Sequence, residues 1–275
     1  MNATLAVPHA QLPSVRFRRR AVLTILLSAA IVGALVYMNA DPFAFVRDFH
    51  FVTNLIGQML PPNLGLFWHK KSLLPSLIDT ISMAFLATLA GATVAFVLAL
   101  LAARNTTPYR GGRLVIRSLL AMERCTPEFV VLMVLLISVG IGPFAAMLTL
   151  LLRSIGMFGK LFADAIEHVD SGPLEATAVT GAGRLQIVRY AVLPQVAPSI
   201  VANVFYAFDV NLRMAVALGV FGGGGIGFEL NLARSVLRYR DMFACLLLII
   251  VMINLMERVA DAFRRRIFSL EAQLE

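Results

Sequence analysis

The residues with the most chemical potential in this sequence are charged side chains within long apolar segments. Arg124 and Glu128 are four positions apart, and so are Asp209 and Arg213. Each pair could therefore lie on one face of a helix and neutralise itself, which lowers the cost of a charge in lipid. A planar guanidinium group can also bind the oxygens of an anion. The spacing thus leaves two interpretations open, internal ion pairing or a path that attracts an anion.

The anion interpretation selects residues that could line a path through a membrane. Arg124, Asn211 or Arg213 would attract the anion along such a path. Asp79 and Arg153 also lie in apolar sequence, and a full charge is unexpected at Arg153. The complete set of path candidates is Arg124, Glu128, Asp209, Asn211 and Arg213.

Carboxylates inside a membrane could instead carry protons. Glu123, Glu128 or Asp209 would then serve a secondary transporter driven by the proton gradient. An intramembrane hydrolase built on Glu128 or Asp209 is a third interpretation, but no H-E-x-x-H or G-x-S-x-G motif supports it. Transport that survives collapse of the proton gradient would exclude a proton-coupled carrier.

Metal, disulfide and nucleotide chemistry find no support in the sequence. Cys125 and Cys245 are isolated, and the four histidines lack metal-ligand spacing. No G-x-x-x-x-G-K-[ST] motif is present, so any ATP hydrolysis that drives the protein requires another polypeptide. We therefore expect no catalytic residue, metal or cofactor in this chain.

The composition indicates an integral membrane protein of the all-α class. Hydrophobic residues make up 59% of the 275 residues and charged residues only 15%, against about a quarter in soluble domains. The apolar runs are too long for the alternating strands of a membrane β-barrel. The net charge of +8 comes with arginines at the ends of apolar runs, where they set topology, so it does not indicate nucleic-acid binding.

Six segments are long and apolar enough to span a bilayer, which needs about 20 residues. The first could instead be a signal peptide, but its apolar stretch is longer than usual, so we expect a retained helix. Within the connection 39–72, residues 43–60 could form a short interfacial helix. The predicted spans are 21–38, 75–103, 114–139, 142–162, 197–220 and 242–263.

Positive charge orients these helices with both termini in the cytoplasm. RFRRR before the first span, the arginines of 104–113 and RRR at 264–266 then share one side, although the arginines of 234–240 fall on the other. The predicted order is a cytoplasmic tail at 1–20, the first helix at 21–38, an external connection at 39–72, a membrane-spanning core at 73–266 and a cytoplasmic tail at 267–275.

The run FGGGGIGFEL, residues 221–230, formally contains G-x-G-x-x-G. A dinucleotide site needs a strand before this motif, whereas here a predicted membrane helix precedes it. The glycines instead permit a tight turn or a re-entrant bend where helices pack closely. The residues of this predicted bend are Gly222, Gly223, Gly224, Gly225 and Gly227.

A polar segment at 175–194, EATAVTGAGRLQIVRYAVLP, precedes the fifth span. Its alanines favour helix, Gly181 permits a bend or a left-handed turn, and Pro194 suits the start of the next helix. The pattern predicts a helical hairpin exposed to the cytoplasm. A plain amphipathic hairpin without a partner is the simplest interpretation of it.

This segment resembles the EAA loop of permease subunits of ABC importers, which reads E-A-A, three residues, G, nine residues, I-x-L-P. The departures at Thr177 and Ala191, where the family usually has alanine and isoleucine, are mild. The positions that match are Glu175, Ala176, Gly181, Leu193 and Pro194, and with Thr177 they are the predicted ATPase-coupling residues.

The resemblance implies a type I ABC importer permease fold with six transmembrane helices and a cytoplasmic coupling helix. It further implies two separate ATPase subunits, a periplasmic substrate-binding protein and a second permease copy, in the bacterial inner membrane. Residues 206–230, together with 123–130 and 142–167, resemble permeases of phosphonate- and phosphite-type importers. That resemblance covers about 73–266 and implies a small phosphorus oxyanion as cargo, with another small solute such as methionine as the alternative.

Overall fold

The computed structural model describes residues 14–38, 41, 47–107 and 109–271, and in these residues every regular element is helical. The chain divides into two compact units, Met1–Gly57 and Gln58–Glu275. The first unit contains helix α1, Ser14–Tyr37, and most of α2, Phe49–Met59. Helix α2 falls where the interfacial helix is predicted. Residues 1–13 of the predicted N-terminal tail and 272–275 of the C-terminal tail lie outside the described residues.

The second unit is a bundle in which long helices alternate with short ones. A wider helical turn, Val188–Val192, leads into one of the long helices without a break. In chain order the helices are α3 Leu66–His69, α4 Leu73–Ala102, α5 Arg110–Cys125, α6 Glu128–Val139, α7 Pro143–Glu167, α8 Ser171–Val179, α9 Arg184–Ile187, α10 Leu193–Leu218, α11 Gly225–Ser235 and α12 Tyr239–Glu271.

Five helical segments of the described residues are long and apolar enough to cross a membrane. They coincide with five of the six predicted spans, because continuous hydropathy over about 20 residues is a strong local signal. These segments are Arg20–Tyr37, Leu73–Ala102, Pro143–Glu167, Arg184–Gly223 and Tyr239–Arg265.

The remaining predicted span, 114–139, the third in chain order, is wrong as a single helix, because the chain breaks between α5 and α6. Thr126 and Pro127 both have extended backbones, with ψ of 124° and 129°. Proline has no N–H to donate and disfavours helical geometry in the residue before it. Hydropathy alone does not reveal the break, because apolar residues continue on both sides of it.

Helices α4 and α7 form the centre of the bundle and contribute to both of its hydrophobic cores. Small residues such as Ala84 and Ala87 on α4, and Ala145 and Ala146 on α7, are completely buried. At Gly91 an added Cβ would lie 2.5 Å from the Cβ of Ser154. Such small side chains let membrane helices approach closely.

The glycine run forms the predicted bend between α10 and α11. Gly222, Gly224 and Gly225 have φ of +106°, +73° and +66°, a region that side chains rarely adopt. The backbone N–H of Ile226 then donates to Thr80 Oγ1 on α4 at 2.9 Å. The bend therefore returns the chain against the bundle, and α11 starts in contact with α4.

Candidate functional site

A polar network joins four helices in the interior of the bundle. Arg153 on α7 forms an ion pair with Glu128 on α6, and its Nη1 donates to Asn211 Oδ1 on α10 at 2.9 Å. The Asn211 amide nitrogen donates to Thr88 Oγ1 on α4 at 2.8 Å and to Ser154 Oγ at 2.9 Å. Asn211 is completely buried. One asparagine thus connects α4, α7 and α10, and the arginine extends the network to α6.

The network lies near the middle of α7 and at the start of α6. Glu128 is the first residue of α6, and Arg153 lies about ten residues inside α7. At about 1.5 Å per residue, each is about 15 Å from the loop that joins the two helices. That is half of an apolar layer of about 30 Å. The break at Pro127 therefore places a carboxylate at the depth of the arginine.

The predicted pairing of Arg124 with Glu128 is wrong. The helix break lies between them, so the two side chains do not share a helix face, and Glu128 pairs with Arg153 instead. The predicted pairing of Asp209 with Arg213 is confirmed, with Arg213 Nη1 at 2.7 Å from Asp209 Oδ2.

Two carboxylate oxygens in the described residues are buried without a hydrogen-bond partner, Glu123 Oε2 and Asp209 Oδ1. The Glu123 carboxylate occupies the space beside Gly156, where an added Cβ would lie 1.5 Å from Oε2. Asp79 makes no ion pair with another described residue. Glu123 therefore packs against α7 close to the Arg153 network, whereas Asp79 does not take part in it.

Sequence reasoning missed two members of the network, Thr88 and Ser154, and noted Arg153 only as an unexpected charge. Thr88 and Ser154 each lie in a long apolar helix, where small polar residues are common and do not by themselves indicate a functional site. An unpaired arginine in apolar sequence does require a partner. The need for a partner was therefore visible in the sequence. The identity of that partner was not, because Asn211 lies 58 residues from Arg153 along the chain.

The segment 171–194 forms the predicted helical hairpin. Asp170 caps α8 by accepting a hydrogen bond from the Gly172 N–H at 3.1 Å. Gly181 turns the chain with φ of +79°, so it has the left-handed conformation that its position predicted. The Gly183 N–H then donates to Gln186 Oε1 at 2.8 Å, which caps α9.

The tip of the hairpin presents apolar side chains that contact little of the described chain. Val179 and Leu185 are 88% and 82% exposed. An open groove of about 580 Å³ passes over Ala176, Thr177 and Gly181. Small side chains and exposed aliphatic groups together form a surface that another protein can cover.

The base of the hairpin is fixed to the core. Leu174 on α8 packs against the cluster that contains Phe158 and Phe162 of α7. The Asp170 N–H donates to Gln195 Oε1 at 2.9 Å, which joins the start of α8 to the start of α10. The base of the hairpin is therefore joined to α7 and α10, the two helices that carry Arg153 and Asn211.

At the end of the bundle opposite the hairpin, Lys70 forms an ion pair with Glu229 on α11. Burial by itself raises the pKa of Glu229. Hydrogen bonds from Lys70, Ser72 and Ser76 outweigh that effect, so the pKa of this carboxyl lies below its ordinary value. Glu229 is therefore held as a carboxylate at neutral pH.

Comparisons with known proteins agree with this architecture. The family model described as "Binding-protein-dependent transport system inner membrane component" matches residues 95–269. The putative phosphite transport system permease protein HtxC of Stutzerimonas stutzeri is 37% identical over 211 residues, 77% of this chain and 74% of that protein. The phosphite transport system permease protein PtxC of the same organism is 35% identical over 241 residues, 88% of this chain and 85% of that protein.

A solved structure has the same fold. A chain of the MetNI methionine ABC transporter in an inward-facing conformation matches with a TM-score of 0.62 and 20% identity, over 74% of this chain and 98% of that chain. This likeness confirms the predicted all-α permease fold. With the family match over more than half of its length, the chain belongs to the family of binding-protein-dependent transport system inner membrane components.

Proposed function

We propose that this chain is the membrane-spanning permease subunit of an ABC importer for a small phosphorus oxyanion of the phosphite or phosphonate class. The observation that carries the proposal is the hairpin 171–194, which joins an exposed apolar tip to a base fixed on the core. The similarity to two phosphite transport permeases over more than three quarters of the chain supports the substrate class.

The hairpin would couple ATP hydrolysis to movement of the helices. A separate ATPase would contact Glu175, Ala176 and Thr177 on α8, and the turn at Gly181 would set the angle between α8 and α9. Leu193 and Pro194 begin α10, which runs without a break to Asn211, a distance of about 27 Å at 1.5 Å per residue. Displacement of the hairpin would therefore tilt the helix that carries the central asparagine.

The oxyanion path would pass the network around Arg153. The side chains of Arg153 and Glu128 are 21% and 28% exposed at mid-depth. Because a charge that faces lipid is costly, the exposed parts of this pair would face a water-filled path or a second permease copy. Asp209 and Arg213 would lie along the same path on α10.

The complete importer would contain two copies of this permease, two ATPase subunits and a periplasmic substrate-binding protein. Each permease would lie in the inner membrane with both termini in the cytoplasm. In that orientation the hairpin and the arginines of 104–113 would face the ATPase, which supports the positive-inside assignment.

Co-purification of the permease with its ATPase tests the coupling role. Gly181→Val places a β-branched residue at φ +79°, which strains the turn although the space around it is open. Gly183→Ala is the matched control, because Gly183 has φ of −69° and a side chain fits there. We expect the ATPase to be lost with Gly181→Val and retained with Gly183→Ala and the wild type. Equal retention by all three, with uptake intact, would contradict the coupling role.

A proton-coupled carrier is the second candidate, because Glu123 Oε2 and Asp209 Oδ1 are buried without partners. Uptake of radiolabelled phosphite into cells that contain the ATPase and the binding protein separates the two mechanisms. Uptake that continues with an uncoupler present but stops when the ATPase is inactivated supports the importer. The opposite pattern would favour proton coupling.

A further inference from the structure

A second charged site lies between α5 and α7, away from the central network. Arg117, Arg124, Lys160 and Asp164 line a cavity of about 240 Å³ there. Its other lining residues are small or apolar, and the Leu120 side chain packs against Gly159. The cavity is therefore lined partly by charged side chains and partly by small or apolar ones.

Only one of the three cations that line the cavity, Arg117, forms an ion pair with a described residue. Arg117 donates to Glu167 and, through Nε, to the Ala102 carbonyl at 2.9 Å. Arg124 and Lys160 have no carboxylate within 4.0 Å among the described residues. Asp164 lines the same cavity without an ion pair in that part of the chain. Three cations and one carboxylate thus line the cavity, while Glu167 pairs with Arg117 and Glu123 interacts with Arg124 from outside it.

The neighbouring Glu123 interacts electrostatically with Arg124 from outside the cavity. Its carboxylate lies beside Gly156, one turn of α7 above the cavity, and it is not among the cavity's lining residues. Lys160 follows Arg153 by two turns on the same face of α7. The cavity therefore lies between the central network and the end of the bundle where Arg104 contacts Glu167.

We infer that this cavity binds a phosphate-type oxyanion. Guanidinium and ammonium groups together suit a tetrahedral anion with several acceptor oxygens. A volume of 240 Å³ equals about eight waters at about 30 Å³ each, which accommodates a PO₄ group with its remaining hydration. The same chemistry is offered by a free oxyanion and by the headgroup of an anionic phospholipid.

The existence of the site rests on the cavity and its charges, whereas its part in transport rests on the proposed function. A free oxyanion that leaves Arg153 would meet Arg124 and Lys160 next on its way to the cytoplasm. A lipid headgroup would occupy the same charges from the inner leaflet and need not involve transport.

The test compares the wild-type permease with Arg124→Gln/Lys160→Gln. The control is Arg110→Gln/Arg189→Gln, which removes the same charge from two exposed arginines that do not line the cavity. One arm titrates inorganic phosphate against delipidated protein in a neutral detergent at constant ionic strength, with ³¹P NMR as the readout. The other measures lipid retained by protein from vesicles of phosphatidylcholine with phosphatidylglycerol, by native mass spectrometry.

We expect the cavity variant to lose at least about tenfold in affinity in at least one arm, since each of the two charged hydrogen bonds that it removes is worth about a factor of ten, while the control stays near wild type. A loss in the phosphate arm identifies a free oxyanion, and a loss in the lipid arm alone identifies a headgroup. Equal binding by wild type and the cavity variant would overturn the inference, and so would equal losses in both double variants.

A variant that keeps both cations provides a second test of the cavity, independent of the charge substitutions. Ala121→Leu would fill part of the cavity and should weaken binding while Arg124 and Lys160 remain. Failure of this inference is separable from failure of the proposed function. The ATPase would still co-purify through the hairpin if only the cavity assignment were wrong.

Discussion

Replacing Asn211 with leucine tests whether the central network stabilises the bundle. Leucine has the same number of side-chain heavy atoms and the same branching, so the substitution removes hydrogen bonds with little change in volume. Asn211 accepts from Arg153 at 2.9 Å and donates to Thr88 and Ser154 at 2.8 and 2.9 Å. All three bonds disappear together in the variant.

The expected loss of unfolding free energy depends on whether each hydrogen bond involves a charged group. A hydrogen bond to a charged group contributes about 1.5–3 kcal/mol. Neutral side-chain bonds between membrane helices average about 0.6 kcal/mol each. The three bonds together predict that Asn211→Leu lowers the free energy of unfolding by about 3 kcal/mol. Arg153 keeps its ion pair with Glu128, so the buried charge is not left without a partner.

Asn203→Leu is the matched control on the same helix. The Asn203 amide donates only to Ser199 of its own helix, to the backbone oxygen at 2.8 Å and to Oγ at 3.5 Å. We expect this variant to remain within about 1 kcal/mol of wild type. The free energy of unfolding in mixed detergent micelles would be measured for the three proteins. Equal values for Asn211→Leu and Asn203→Leu would refute the reasoning, because the interhelical bonds would then contribute nothing.

Two further predictions concern the glycine bend and the opposite end of the bundle. Gly227→Ala should destabilise the fold by about 1–3 kcal/mol, because the new Cβ would lie 2.0 Å from the Val216 carbonyl oxygen. Gly33→Ala, with nothing within 4 Å, should not, and thermal unfolding in detergent would contradict us if the two variants behaved alike. Because the pKa of Glu229 lies below its ordinary 4.5, the stability advantage of wild type over Glu229→Gln should be full above pH 4.5 and shrink as the pH falls below it. An advantage that grows on acidification would show that the sign is wrong, and Lys70→Met should abolish most of the advantage.

The network and the hairpin are connected through the long helices. Helix α10 begins at the base of the hairpin and contains Asn211, and α7 contains both Arg153 and two phenylalanines of the cluster against which Leu174 packs. Under the proposed function, a movement of the hairpin would shift α10 against α7. The contact most exposed to a change in the tilt of α10 is then the hydrogen bond from Arg153 to Asn211, because it joins these two helices.

The sequence by itself determined the features that depend on neighbouring residues. Hydropathy over about 20 residues located five of the spans. The i, i+4 spacing paired Asp209 with Arg213, and glycine at 181 and in the run 222–225 located the turns with positive φ. In each case the controlling interaction spans at most a few turns of chain, so a local pattern contains it.

Only the tertiary structure decided which charges meet. Glu128 has Arg124 as its obvious local partner but pairs with Arg153, because the break before Pro127 separates α5 from α6 and faces α6 toward α7. Asn211, Thr88 and Ser154 meet across 57 and 123 residues of sequence. The cavity at Arg124 and Lys160 likewise exists only where two helices pack. Such contacts depend on the rotation of each helix about its axis, and in an almost uniformly apolar segment the sequence does not specify that rotation.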